Sequence, residues 1–175
     1  GEKTNVYMVD FPRDGDANYD GVWGHNNLTL KNGWHTGSAT HTNLKAIGSF
    51  SGNVGYCIEP GVHLSMGQSM TQYDENYFNN IQANGVISGD EIRQYIGRIL
   101  QYGYRGTVST SWRTQNEAAA NSIAHAYATQ LLIWETIVGE RDANFNHKAA
   151  SGCSNVKDVV NAAHPLRSKI FSYYD

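Results

Sequence analysis

Residues 114–139 read TQNEAAANSIAHAYATQLLIWETIVG, and the rest of the chain has to be arranged around them. Steps of three or four pick out Ala119, Ile123, Tyr127, Gln130, Trp134 and Ile137, one face of a 3.6-residue helix. Thr114 and Glu117 form a capping box that starts this helix, three successive alanines from Ala118 favour it, and Gly139 supplies a left-handed stop. Gln130 is the odd member of the face. A buried carboxamide costs about 1–3 kcal/mol unless its donors and acceptor are met, so the fold must bring a specific partner to the middle of a rigid element.

The 175 residues suit a single domain, which at this size buries roughly 70% of its unfolded surface. A net charge of −3 without a basic stripe argues against nucleic acid and against anionic membranes as partners. No apolar run approaches the roughly 20 residues of a membrane span, and the opening GEKTNVY lacks a signal-peptide core. The chain therefore reads as a monomeric domain, excised from a longer protein, with no membrane insertion of its own. Two cysteines, Cys57 and Cys153, are too few for a disulfide framework, although one bond between them stays open, and no pair has zinc-finger spacing, so no metal and no cofactor is expected. Asp16, Asn18, Asp20 and Gly21 match the first half of a calcium loop. The twelfth position is Asn27 rather than glutamate, and Asx-turns account for the same residues.

Alternation predicts strands at 5–11, 28–31, 45–50 and 54–58, with a polar loop holding Trp34, His35 and His41. Residues 62–85 are too polar to assign and read as loop with a short helix near Tyr77. Ser88 and Glu91 form a second capping box, opening a helix with Ile92, Ile96, Ile99 and Leu100 on one face and Gly103 at its end. Residues 107–109 read as a brief strand and 155–163 as a helix capped by Ser154, with Val156, Val159 and Val160 inward. Residues 168–174 read as a closing strand, centred on 170–174. The order implies an α+β domain, strand-rich over 1–60 and helix-rich over 88–163, with the first and last strands in one sheet.

Gly55-Tyr56-Cys57-Ile58-Glu59-Pro60-Gly61, about seventy residues before the glutamine, offers the partner. If the helix presents the Gln130 carboxamide to the Cys57 sulfur, thiolate attack with loss of ammonia gives an internal thioester, which stores an activated acyl group. Such a link also staples strand to helix and constrains the unfolded chain by a few kcal/mol.

The pair Tyr56-Cys57-Ile58-Glu59-Pro60-Gly61 and Thr129-Gln130-Leu131-Leu132-Ile133-Trp134 resembles the double signature of the thioester domains of Gram-positive surface adhesins. Gly139-Glu140-Arg141-Asp142 and Ile99-Leu100-Gln101-Tyr102-Gly103-Tyr104 have the family's look as well. The resemblance implies a β-sandwich- or barrel-like part with an inserted helical subdomain and a Cys57–Gln130 thioester at their junction. It further implies an extracellular, cell-wall-anchored protein that reacts once with a lysine amine of a host extracellular protein, and so is not a turnover enzyme. Tyr56, Tyr127 and Trp134 either shield the bond from water or simply pack the core. His63 and His125 either assist proton transfer or are structural, and Glu59 either orients the loop or the amine. Two rivals remain: a cysteine hydrolase with Cys57 as nucleophile and His63, His125, His147 or His164 as base, and a non-covalent binding module contacting its ligand through tyrosines.

Overall fold

The computed structural model describes residues 3–11, 22, 27–30, 37–40, 45–49, 54–57, 69–71, 81–113, 117–148 and 155–175. Among them are six strands: β1 (Lys3–Asp10), β2 (Asn27–Leu30), β3 (Gly37–Thr40), β4 (Lys45–Ser49), β5 (Val54–Gly55) and β6 (Ser69–Thr71). They form a four-stranded antiparallel sheet ordered β5-β4-β1-β6 and a separate antiparallel β2–β3 pair. In the main sheet Val6 faces Ser49 and Asp10 faces Lys45, while Ile47 faces Gly55. Three α-helices follow, α1 (Gly89–Tyr102), α2 (Ala120–Val138) and α3 (Arg167–Tyr174), with 3-10 turns at Thr110–Arg113, Glu117–Ala119 and Val156–Val159. The fold is α+β.

α2 is the spine. Fifteen of its nineteen residues are buried, which marks a helix covered on all sides rather than one lying on a surface. Its stripe divides between two cores. Ile123, Tyr127, Leu131 and Trp134 pack with Val9, Phe11 and Ala46 of the sheet region and with Val156, Val159 and Ile170 behind them. Ile133 and Ile137 pack instead with Ile92, Ile96 and Ile99, the buried face of α1, and with Ile87 just before it. Each such aliphatic side chain contributes about 1.5–3 kcal/mol by leaving water.

The helix ends follow their sequence signals in part. Ser88 caps α1 through the full capping box, its side chain accepting from Glu91 N while the Glu91 carboxylate accepts from Ser88 N. Gly139 ends α2 at φ 87°, the left-handed conformation that a residue with a Cβ resists. Gly103 ends α1 where a Cβ would lie 2.5 Å from Thr129 Cγ2 and 2.6 Å from Ile99 O, so only glycine allows this close approach to α2. At the start of α2 the expected capping Thr114 lies outside the described residues. The helix itself begins at Ala120, and Ala119 at its N-cap makes no side-chain hydrogen bond.

Several expectations need correction. Residues 168–174 are not a closing strand: they lie in α3, whose Ile170 faces the core, and β1 pairs with β4 and β6 instead of with the C-terminus. So short a segment carries too little periodicity to separate strand from helix, and docking against α2 decided between the two. The predicted helix over 155–163 is only a 3-10 turn, although Val156, Val159 and Val160 do point inward. Residues 107–109 form no strand, and β5 is two residues long, so Cys57 lies just beyond it. β6 arises within the polar stretch left as loop, held by main-chain pairing to β1 rather than by an apolar pattern. The Asp16–Gly21 turn, Trp34, His35, His41, Tyr77, Cys153 and Ser154 lie outside the described residues.

The far end of α2 anchors the C-terminal third through buried charge. Glu135, fully buried, accepts from Arg141 Nε at 3.0 Å and Nη2 at 2.9 Å, and from the Tyr174 hydroxyl of α3 at 2.6 and 2.9 Å. Glu140, also fully buried, accepts from Val156 N at 3.1 Å and faces His147 Nε2 at 3.5 Å. Burial pushes the Glu140 carboxyl up to about 8, against the pull of the Val156 N–H, with Glu135 and Asp158 pushing the same way. Burial likewise raises Glu135, opposed by Tyr174 and Arg141, and lowers His147, helped by Lys157 and Arg141.

Two outcomes are expected. Gly103→Ala destabilises the fold by about 1–3 kcal/mol, because the added methyl meets backbone as well as Thr129; denaturant unfolding with an unchanged slope reads this, and a midpoint equal to wild type contradicts it. Glu140 holds its proton to higher pH when folded than unfolded, so its contribution is complete below about 4.5 and is lost as pH rises toward about 8. His147 acts with the opposite sign below 6.5. Thermal stability should therefore fall between about pH 6.5 and 8, and Glu140→Gln should flatten that slope; an identical slope in the variant counts against the assignment.

Candidate functional site

Cys57 is placed by three ties. β5 pairs with β4, Val54 N donates to Gly106 O at 3.2 Å, and the Tyr56 hydroxyl donates to Tyr104 O. The 103–106 connection that receives two of them is itself fixed to α2. Tyr104 N donates to Thr129 Oγ1 at 3.0 Å, and that hydroxyl donates to His125 O at 2.7 Å. The segment carrying Cys57 thus lies against the middle of α2, beside Gln130.

There the carboxamide of Gln130 finds both its partners in one residue. Cys57 N donates to Gln130 Oε1 at 2.8 Å, and Gln130 Nε2 donates to Cys57 O at 2.8 Å. The Trp134 indole Nε1 donates to the same carbonyl at 2.9 Å. Gln130 and Trp134 stand four residues apart, so they share a helix face and reach one acceptor together. Gln130 is 5% and Trp134 3% exposed, while Cys57 is half-buried. The residue that bears the thiol thus lies against the carboxamide, with its main-chain N–H on the acyl oxygen, and a thiol, an acyl carbon and such a donor are the parts an acyl transfer requires.

The other expected residues divide. Tyr56 is half-buried, and burial drives its phenol well above the ordinary value, so it remains a donor to Tyr104 O. Its role is to tether the segment before Cys57. Tyr127 is fully buried, edge-on to Phe11 at 4.9 Å, and among the described residues its hydroxyl has no hydrogen-bond partner. It packs the core. His125 meets Tyr102 O at 2.9 Å and stacks on Tyr173 at 4.4 Å. His147 faces Glu140, and His164 Nδ1 accepts from Leu166 N. None of these contacts involves Cys57. Glu59 and His63 lie outside the described residues.

Thr129 and Tyr104, which frame the site, stand within the stretches that carry the family resemblance, but the sequence assigns neither a role, since a threonine in a helix and a tyrosine after a glycine carry no distinctive pattern. Glu135 was missed too. Its signal was a charge inside the apolar run LLIWETIV, the same kind of anomaly that exposed Gln130. With Glu140 and His147 it offers three ligand atoms within 4.8 Å of one another. The Arg141 guanidinium and Tyr174 hydroxyl already occupy Glu135, and the Val156 N–H occupies Glu140, so these groups are spoken for as structural anchors. Among the described residues no helix is long and apolar enough to cross a membrane.

Comparison with curated proteins and with solved structures finds no match. The family model described as TED, thioester domain, matches residues 54–169, from β5 into α3, and includes both Cys57 and Gln130. That span covers well over half of the chain. Domains of this family bear a thioester, are of adhesin type, and are found in extracellular surface proteins. This chain, with its cysteine-bearing segment laid against a buried helical glutamine, belongs to the thioester domain family.

Proposed function

We propose that Cys57 Sγ and the Gln130 side-chain carbon form an internal thioester, and that a lysine amine on a host extracellular protein captures it as a covalent amide. The single observation that carries this reading is the two-point pairing of the Gln130 carboxamide with the main chain of Cys57. The pairing sets the acyl carbon beside the residue that bears the thiol. In the first step the Cys57 sulfur attacks that carbon, the C–N bond breaks as the C–S bond forms, and the thiol proton departs on nitrogen as ammonia. In the second, the amine nitrogen attacks, the C–S bond breaks, and one amine proton passes to sulfur. The Cys57 N–H, already on Oε1, is the donor placed to meet the oxyanion of both tetrahedral intermediates.

The domain is consumed in the reaction, so it is a reactive adhesin and not a turnover enzyme. It fits a secreted Gram-positive protein held on the cell wall by segments elsewhere in its chain, acting as a monomer in host binding and virulence. A sandwich-like sheet part followed by a helical part, with the thioester at their junction, is the architecture this reading carries; with residues 168–174 helical, the helical part is not closed off by a last strand. Support comes from Cys57 lying just past β5 and Gln130 lying on α2. The contacts of His125, His147 and His164 lend nothing to the cysteine-hydrolase alternative, and a non-covalent module has no use for the pairing.

Intact mass tests the chemistry. The purified domain should be lighter than its sequence by one ammonia, and methylamine should add its own mass and expose one thiol. Cys57→Ala should show neither change, and should lose the bands that wild type forms with host extracellular proteins and that survive denaturing electrophoresis. A full sequence mass that is indifferent to methylamine contradicts the proposal.

A further inference from the structure

The Cys57 carbonyl accepts two donors from α2, Gln130 Nε2 at 2.8 Å and Trp134 Nε1 at 2.9 Å. Resting on the thioester reading above, we infer that the Trp134 indole is the positioning group that holds this carbonyl once the Gln130 nitrogen has gone. Loss of ammonia removes one of the two donors and leaves Trp134 in place. A half-buried carbonyl that loses a donor costs free energy and turns to find another. The N–H and C=O of Cys57 belong to successive peptide groups that meet at its Cα, so a carbonyl held in place restrains the Cα from which the N–H reaches the acyl oxygen.

The same geometry separates ammonia from an alkylamine as acceptor of the acyl group. A two-point contact of this kind uses the amide hydrogen that lies on the same side as the oxygen. A primary carboxamide has a hydrogen there. A secondary amide in its favoured trans form carries its substituent there instead, and the cis form costs about 2.5 kcal/mol. Reaction with ammonia therefore restores both hydrogen bonds to Cys57. Reaction with an alkylamine, a lysine included, gives a product in which Trp134 goes on holding the carbonyl. Trp134 thus acts through Cys57, and its contribution is greatest in the thioester and in the alkylamide.

The test is a competition. Thioester-bearing domain is offered ammonia and methylamine together at fixed pH, and the ratio of the two products is read by intact mass for wild type and Trp134→Phe, which keeps the apolar ring system and removes the donor. The variant should shift the ratio toward ammonia by about three- to tenfold, the worth of one hydrogen bond to this half-buried carbonyl. General loosening of the fold would speed both amines alike and leave the ratio still. An unchanged ratio overturns the inference. Hydrogen exchange in wild type serves where the variant does not fold: the Trp134 indole proton should be protected in both the thioester and the methylamine product, and rapid exchange in either overturns the inference. A wild-type mass with no loss of ammonia overturns instead the thioester reading beneath it, and is seen before any amine is added.

Discussion

A carboxamide in the middle of a buried helix has to be satisfied, and here one residue satisfies it from another part of the chain. The Gln130 oxygen and nitrogen meet the N–H and C=O of Cys57, so the polar requirement of α2 and the position of the thiol are one constraint. Much of the surrounding structure serves it. β5 is stitched to the 103–106 connection, that connection is stitched to Thr129, and Gly103 lets α1 end against α2 closely enough for the stitching to occur.

α2 carries this site because it is immobilised on every side. One face lies in the core shared with the sheet, the other in the core shared with α1. Its C-terminal end is fixed by Glu135 to Arg141 and Tyr174, and Glu140 just beyond it holds the 3-10 turn at Val156. A group that must present its acyl carbon within bonding reach of a sulfur gains from such rigidity, since a displacement of an ångström is costly in acyl transfer. Buried carboxylates contribute little net stability by themselves. Their effect here is to fix how the C-terminal segments dock on the helix that bears Gln130.

The sequence made some of this legible and hid the rest for identifiable reasons. Gln130 stood out because it broke an apolar period, and Cys57 because a strand-end cysteine is chemically purposeful next to such a residue. The α1 capping box and the Gly139 stop are local signals and appear as read. α3 differs from the expected strand because eight residues with one buried side chain, Ile170, carry too little pattern to separate the two periods. β6 was invisible because an edge strand held by main-chain bonds to β1 needs no apolar residues of its own. The sequence leaves Trp134 between shielding the site and packing the core, and its indole N–H on the Cys57 carbonyl depends on a three-dimensional approach that no spacing encodes.

The most direct measurement of the central claim is the electron density between residues 57 and 130 in crystals of the unmutated domain. Continuous density joining the sulfur to the side-chain carbon, with no nitrogen on that carbon, is the predicted result. A cysteine thiol and an intact carboxamide standing apart, in protein whose mass shows that neither ammonia nor water has been exchanged, would contradict the account.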